Sequence, residues 1–250
     1  MADLIPFSVS WVLASCTTFF ACFIAATTGF GQNLIMAPIL LLILSPKSVV
    51  AVSVVLAFIS GLGLLPFCFK NRDMRKIIPL AIGSLLGIPV GTYTIVIIAP
   101  SSLKMLIGSL CIVLAIPLAM GMSINLRQEK ITGGVVGFLG GFFTSSTSMG
   151  GPPVVLYMHN QNWRKESIRS NLNMIFTMMG GVTIISLYFA GIVTWGDVVN
   201  AVSLVPALVA GLALGIFVFP RISVKLFRFI SIVVVVVAGI LGILSGLGVI

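Results

Sequence analysis

The feature that most constrains this chain is the recurrence, from one end to the other, of uncharged apolar stretches long enough to cross a bilayer. A helix needs about 20 such residues to span a hydrocarbon core ~30 Å thick. Stretches of that length fall at 5–27, 49–69, 77–99, 104–123, 171–190, 198–219 and 229–250. They leave no room for a separate soluble unit, so residues 1–250 read as a single membrane domain. Only 8% of the residues are charged, against about 25% in an ordinary soluble domain. The expected fold class is therefore all-α and integral to the membrane. Asp3 stands near the start and no basic n-region precedes the first apolar stretch, so that stretch reads as a retained helix and not as a cleaved signal peptide.

Charge is confined to the connections and the ends of the stretches. Lys70, Arg72, Arg75 and Lys76 form one basic group, Arg127 and Lys130 a second, Arg164, Lys165 and Arg169 a third, and Arg221, Lys225 and Arg228 a fourth. Scattered in this way, the +9 net charge marks cytoplasmic loops by the positive-inside rule. It does not form the continuous basic face that nucleic acid requires, so no nucleic-acid partner is expected. Segments 77–99 with 104–123, and 171–190 with 198–219, then leave the cytoplasm and return as simple pairs.

Two stretches break the regularity. Residues 28–44 open with Thr28-Gly29-Phe30-Gly31-Gln32-Asn33 and reach Pro38. Residues 133–160 hold two short apolar pieces around Thr144-Ser145-Ser146-Thr147-Ser148-Met149-Gly150-Gly151-Pro152-Pro153. Basic groups flank the second stretch on both sides, which a single crossing cannot satisfy; a re-entrant hairpin can. Each half then has a broken or re-entrant element followed by three transmembrane helices, repeat 1 at about 5–123 and repeat 2 at about 133–250. Pro38 and Pro153 stand 115 residues apart, and the orientation makes 49–69 run inward and 171–190 outward. The halves are expected to be inverted repeats, an architecture common among secondary transporters.

Broken helices cannot face lipid, because an unpaired backbone group in hydrocarbon costs several kcal/mol. Both should line a central wet cavity, where a half-helix start aims N–H groups and a positive dipole end at whatever is bound. The candidate substrate-binding residues are Thr28, Gly29, Gly31, Gln32 and Asn33 from the first break, with Gln32 or Asn33 as helix cap. From the second come Ser146, Thr147, Ser148, Met149, Gly150 and Gly151, with Thr144 and Ser145 adding hydroxyls. Those hydroxyls have a plainer use, satisfying backbone or letting helices approach. All five acidic residues, Asp3, Asp73, Glu129, Glu166 and Asp197, lie in loops or near helix ends. A cationic substrate would find no counter-charge, so the expected ligand is a small anion.

No metal, cofactor or catalytic group is expected. Cys16, Cys22, Cys68 and Cys111 sit in apolar stretches without ligand spacing. His159 is the only histidine, and an intramembrane serine hydrolase would need a partnered base beside Ser148. The chain reads as no enzyme. The remaining partners are the lipid bilayer and, as an open option, a second copy in a homodimer.

The two motifs resemble those of the TauE/SafE sulfite-exporter family, also called the toluene-sulfonate uptake permeases. Gly29-Phe30-Gly31-Gln32-Asn33 through Pro38 is similar to a first-half Gly-x-Gly-Gly-Gly pattern followed by proline. Ser148-Met149-Gly150-Gly151-Pro152-Pro153 leading to Tyr157 resembles the second-half pattern. The departures are Gln32 and Asn33 in place of two family glycines, and Ser148 where glycine is common. The resemblance implies a bacterial inner-membrane transporter of sulfite, sulfoacetate or another sulfonate, without choosing among them. The expected mechanism is alternating access, one half-repeat rocking against the other, with export favoured by a negative-inside potential. An anion channel, a proton-coupled uptake permease and a non-transporting scaffold are the alternatives.

Overall fold

A computed structural model of the chain describes residues 8–68, 74–120, 129–160 and 165–218, with positions 240 and 244. Among them all regular structure is helical: α1 (Val9–Thr28), α2 (Gln32–Leu40), α3 (Pro46–Cys68), α4 (Met74–Ile97), α5 (Pro100–Met120), α6 (Glu129–Thr147), α7 (Gly151–Asn160), α8 (Lys165–Phe189) and α9 (Trp195–Val218). The expected last segment, 229–250, lies outside the described residues apart from those two positions.

Local chemistry explains where the long helices begin. Ser8 caps α1, its Oγ accepting from the Trp11 N–H at 3.1 Å. Ser45 accepts from the Ser48 N–H at 3.3 Å, and Pro46 fills the first position of α3, where its missing N–H costs nothing. At α9, Thr194 and Asp197 form a reciprocal capping box: Asp197 Oδ2 accepts from the Thr194 N–H at 3.0 Å, and Thr194 Oγ1 accepts from the Asp197 N–H at 3.3 Å. Asp197, an acid only 4% exposed, is thereby committed to a helix start.

Five helices, α1, α3, α4, α8 and α9, contain spans long and apolar enough to cross a membrane. Their outer faces carry Ile82, Leu86, Val202 and Phe217, the last 80% exposed, while Ser53, Ser84, Asn171 and Asn173 are buried inside. Apolar outside with polar inside is the arrangement of a chain solvated by lipid. The protein is a multi-pass membrane protein.

Three helix pairs make the frame. The first, α4 with α6, runs parallel: Gly83 lies against Gly134, Gly87 against Phe138 and Gly91 against Phe142. From the other side, Gly137 meets Leu80 and Gly141 meets Ser84. A methyl group on Gly87 would collide with the Phe138 carbonyl oxygen, and one on Gly141 would stand 2.5 Å from that of Ser84. Ser145 locks the seam, donating to the Ile88 carbonyl at 2.9 Å. The second pair, α1 with α9, is also parallel, Gly211 lying against Phe19 and Gly215 against Phe23 and Ala26. The third, α3 with α8, is antiparallel: Gly61 lies against Thr177, and Phe58 against Gly180 and Gly181.

Both short helices fold back. Along α6, Gly140 faces Val154 and Gly133 faces the Tyr157 hydroxyl, so α7 returns antiparallel to it as a hairpin. Thr18 Oγ1 lies 3.7 Å from Met36 Sδ, placing α2 back along α1. The first limb differs from expectation. It is not a short piece starting near residue 133 but a continuous helix of 19 residues, about 28 Å long at 1.5 Å per residue. Its many glycines read as breakers in sequence, yet they form the surfaces that admit α4 and α7 at close range. Pro38 and Pro153 are likewise not equivalent. Pro38 lies inside α2, whereas Pro153 belongs to the first turn of α7.

Candidate functional site

The two breaks in the helices meet in space. Gly29 (φ +82°) and Gly31 (φ +94°) take left-handed conformations between α1 and α2, where glycine is the residue without steric penalty. Ser148 does the same between α6 and α7, at φ +62°. It is the one non-glycine to do so among the described residues. That conformation costs an L-residue about 1–2 kcal/mol, and strain of this kind gathers at functional positions. Gly150 has no latitude at all, because any Cβ there would strike the Gly140 carbonyl oxygen and the Thr144 hydroxyl.

A hydrogen bond ties the breaks together: Asn33 Nδ2 donates to the Ser148 carbonyl at 2.9 Å. Between them lies a cavity of about 100 Å³, several times the ~10–15 Å³ that admits one water on the same measure. From the sequence-derived set, Gly29, Gly31, Gln32, Asn33, Ser148, Met149, Gly150 and Gly151 line it. Ser146 and Thr147 do not. Their hydroxyls turn back along α6, to the Phe142 carbonyl at 2.7 Å and the Phe143 carbonyl at 2.8 Å. Thr144 donates to Gly140 at 2.7 Å, so four of the five clustered hydroxyls, with Ser145 on Ile88, serve the backbone. Only Ser148 keeps its hydroxyl buried and unpartnered. The side chains of Thr28 and His159 lie outside the described residues.

Capping also differs from expectation. The N-cap of α2 is Gly31, and neither Gln32 nor Asn33 caps the helix. Gln32 occupies the first helical position, 6% exposed, with Nε2 buried and unpartnered. Asn33 spends its amide nitrogen on the opposite half. The α2 N-terminus thus has no side-chain cap, whereas α7 carries Pro152 and Pro153 in its first turn and offers fewer free N–H groups. Donors from Gln32, Ser148 and the start of α2 outweigh those of α7.

Polar residues that the motifs did not flag complete the wall. Ser60 and Asn173 line it, Asn173 Nδ2 donating to the Gly61 carbonyl at 3.2 Å. Phe30, Phe176 and Met179 supply apolar surface. Asn173 was visible as an amide inside an apolar segment, the kind of residue that marks a polar interior. Among the described residues, the lining holds no Asp, Glu, Lys, Arg or His.

One cation stands close by. Arg169 was expected in a loop, but it lies in the second turn of α8 and donates through Nη2 to the Ala26 carbonyl at 2.7 Å. Its Cγ would be 3.3 Å from a methyl group on Gly29. The Gly29 N–H satisfies the Ala25 carbonyl at 2.8 Å, and Arg169 the next one, a cation at a helix C-terminus. Arg169→Met should lower unfolding stability by about 1.5–3 kcal/mol, the worth of a charge-assisted bond; an unchanged thermal midpoint would show that water replaces the guanidinium.

The model of the family described as sulfite exporter TauE/SafE matches residues 14–242. A probable sulfite/organosulfonate exporter TauE of Cupriavidus necator is 27% identical over 200 residues, covering 75% of this chain and 76% of that protein. No solved structure matches the chain.

Proposed function

The chain belongs to the sulfite exporter TauE/SafE family of transporters, and from that premise we propose that it moves a small sulfur oxyanion, sulfite or an organosulfonate, through the cavity between the two helix breaks. One observation carries this reading. Gln32 and Ser148, side chains at least nine-tenths buried, both line the cavity, and Gln32 Nε2 and the Ser148 hydroxyl have no protein partner. Buried donors without partners cost about 1–3 kcal/mol each, and an oxyanion relieves that cost. The uncapped α2 N-terminus adds a favourable dipole, and apolar Phe30 and Phe176 suit the organic end of a sulfonate.

Inverted-repeat architecture is part of the proposal. Gln32 and Gly151 start the short helices 119 positions apart, Pro46 and Lys165 start the next ones at the same spacing, and the left-handed residues Gly29 and Ser148 repeat it again. Under that equivalence the α4–α6 seam corresponds to α9–α1, and α3–α8 corresponds to itself reversed.

The glycine seams bear on which pieces move. They join α6 of the second half to α4 of the first, and α1 of the first half to α9 of the second, backbone against backbone. Alternating access then rocks α4 with the α6–α7 hairpin against α9 with the α1–α2 hairpin, rather than one sequence half against the other. The Asn33–Ser148 bond spans those two bodies and must break in each cycle. Export is the favoured direction, since each negative charge leaving a negative-inside cell gains about 2.3 kcal/mol per 100 mV.

Reconstituted proteoliposomes test the reading. Sulfite, sulfoacetate, taurine, thiosulfate and lactate, applied with and without a pH gradient, should give a saturable current for a sulfur oxyanion and none for lactate. Folded protein that passes none of the sulfur compounds, by current or by isotope flux, would refute it.

A further inference from the structure

The direction of hydrogen bonding at Asn33 carries a statement about the ligand. Its Nδ2 donates to the Ser148 carbonyl at 2.9 Å. A carbonyl oxygen can only accept, so the amide cannot be turned round, and Oδ1 is fixed as the opposite end. That oxygen is buried and has no partner. It is an acceptor that requires a donor. Asn33, Gln32 and Ser148 line one cavity, and Gln32 Nε2 and the Ser148 hydroxyl are likewise buried and unpartnered.

A fully ionised sulfonate or sulfite dianion offers acceptors alone. It would satisfy Gln32 and Ser148 while setting lone pair against lone pair at Asn33 Oδ1. An ammonium group would satisfy Oδ1 but would arrive in a cavity whose lining, among the described residues, holds no carboxylate. A monoanion carrying a neutral hydroxyl beside its oxyanion head satisfies all three groups and leaves no charge uncompensated beyond the one the site is built for.

Resting on the transport reading above, we infer that the site selects an oxyanion bearing its own neutral O–H donor, such as hydrogen sulfite or a hydroxyalkylsulfonate, and that Asn33 Oδ1 is the selecting group. Asn33 stands at a position where the resembled motif has glycine, so the selectivity belongs to this chain. It also links transport to pH without calling on a side chain that titrates, because hydrogen sulfite carries its proton with it.

The probes are 2-hydroxyethanesulfonate, 1-propanesulfonate and 2-aminoethanesulfonate, the same size with a hydroxyl, a methyl or an ammonium at one end. Each is titrated as a competitor of sulfite flux into proteoliposomes holding the full chain. The hydroxyl compound should compete at least about five-fold better than the methyl compound, the lower bound for one buried unsatisfied acceptor. The ammonium compound should compete no better than the methyl one. In Asn33→Gly the hydroxyl-to-methyl ratio should fall to about one, read as a ratio against whatever sulfite flux the variant keeps; Asn33→Thr, whose hydroxyl both donates and accepts, should give the same collapse if glycine there fails to fold. Sulfite flux with equal competition by hydroxyl and methyl compounds would overturn this inference alone. An unchanged ratio in both variants would overturn the role of Asn33. Absence of flux of sulfite and of every other sulfur compound named above, in folded protein, would overturn the transport reading and this inference with it.

Discussion

Alanine in place of Gly87 is expected to lower stability by about 3 kcal/mol or more, at the upper end of what overpacking costs. Its Cβ would have to occupy the space of the Phe138 carbonyl, a backbone atom that cannot rotate away. Relief requires α4 and α6 to separate, which breaks Ser145 from Ile88 and loosens every other contact of the seam. The control lies across the same interface. Gly134 also sits in α6, but a methyl group there has nothing within 4 Å, so Gly134→Ala should be neutral or stabilising by up to about 1 kcal/mol from helix propensity. Thermal unfolding of the purified protein in detergent reads both. Equal midpoints for the two variants would mean that the seam yields easily, and the moving bodies assigned above would lose their basis. A surviving Gly87→Ala protein should also show slowed flux with little change in half-saturation, since the seam lies away from the cavity lining.

Much of this arrangement could be read from residues alone, and the parts that could not have common causes. Length and apolarity decide a spanning helix with little help from tertiary context, so α1, α3, α4 and α9 fall within a few residues of their expected limits, while α8 begins six residues early, at Lys165. Starts were blurred because caps such as Ser45 and Thr194 sit outside the apolar run that drew attention, while Ser8 is hidden inside one. The α6 helix was misjudged for a different reason. Gly133, Gly134, Gly137, Gly140 and Gly141 weaken a helix in isolation, and only the presence of α4 and α7 turns them into packing surface. The two breaks were legible because Gly29-Phe30-Gly31 and Gly150-Gly151-Pro152-Pro153 punctuate the chain so strongly. Hydroxyl roles were not, since Ser146 and Ser148 look alike in sequence. They part company only when the helix ends at Thr147: Ser148 still reaches the Thr144 carbonyl with its backbone N–H, at 3.0 Å, but its hydroxyl finds no partner. Arg169 was hidden by the basic group it belongs to, its purpose depending on a carbonyl 143 residues away in the chain.

Ser148→Ala should separate stability from function. The hydroxyl has no partner in the protein and is only 4% exposed, so its removal should leave the unfolding midpoint unchanged or slightly raised. Sulfite half-saturation should rise by about ten-fold or more, because a hydrogen bond to a charged ligand is worth about 1.5–3 kcal/mol. Ser148→Gly loses the same hydroxyl and also relaxes the left-handed backbone, so it should match alanine in affinity while exceeding it in stability by about 1 kcal/mol. Gln32→Leu, which keeps volume and removes the buried donor, should weaken affinity to a similar degree. If the serine were merely a turn residue, the two substitutions would shift stability and leave half-saturation alone, and the cavity would lose its claim to the substrate. If both variants bind weakly while glycine is the more stable, a strained serine is held in place of an easier glycine, and what it offers in return is a donor aimed at the anion.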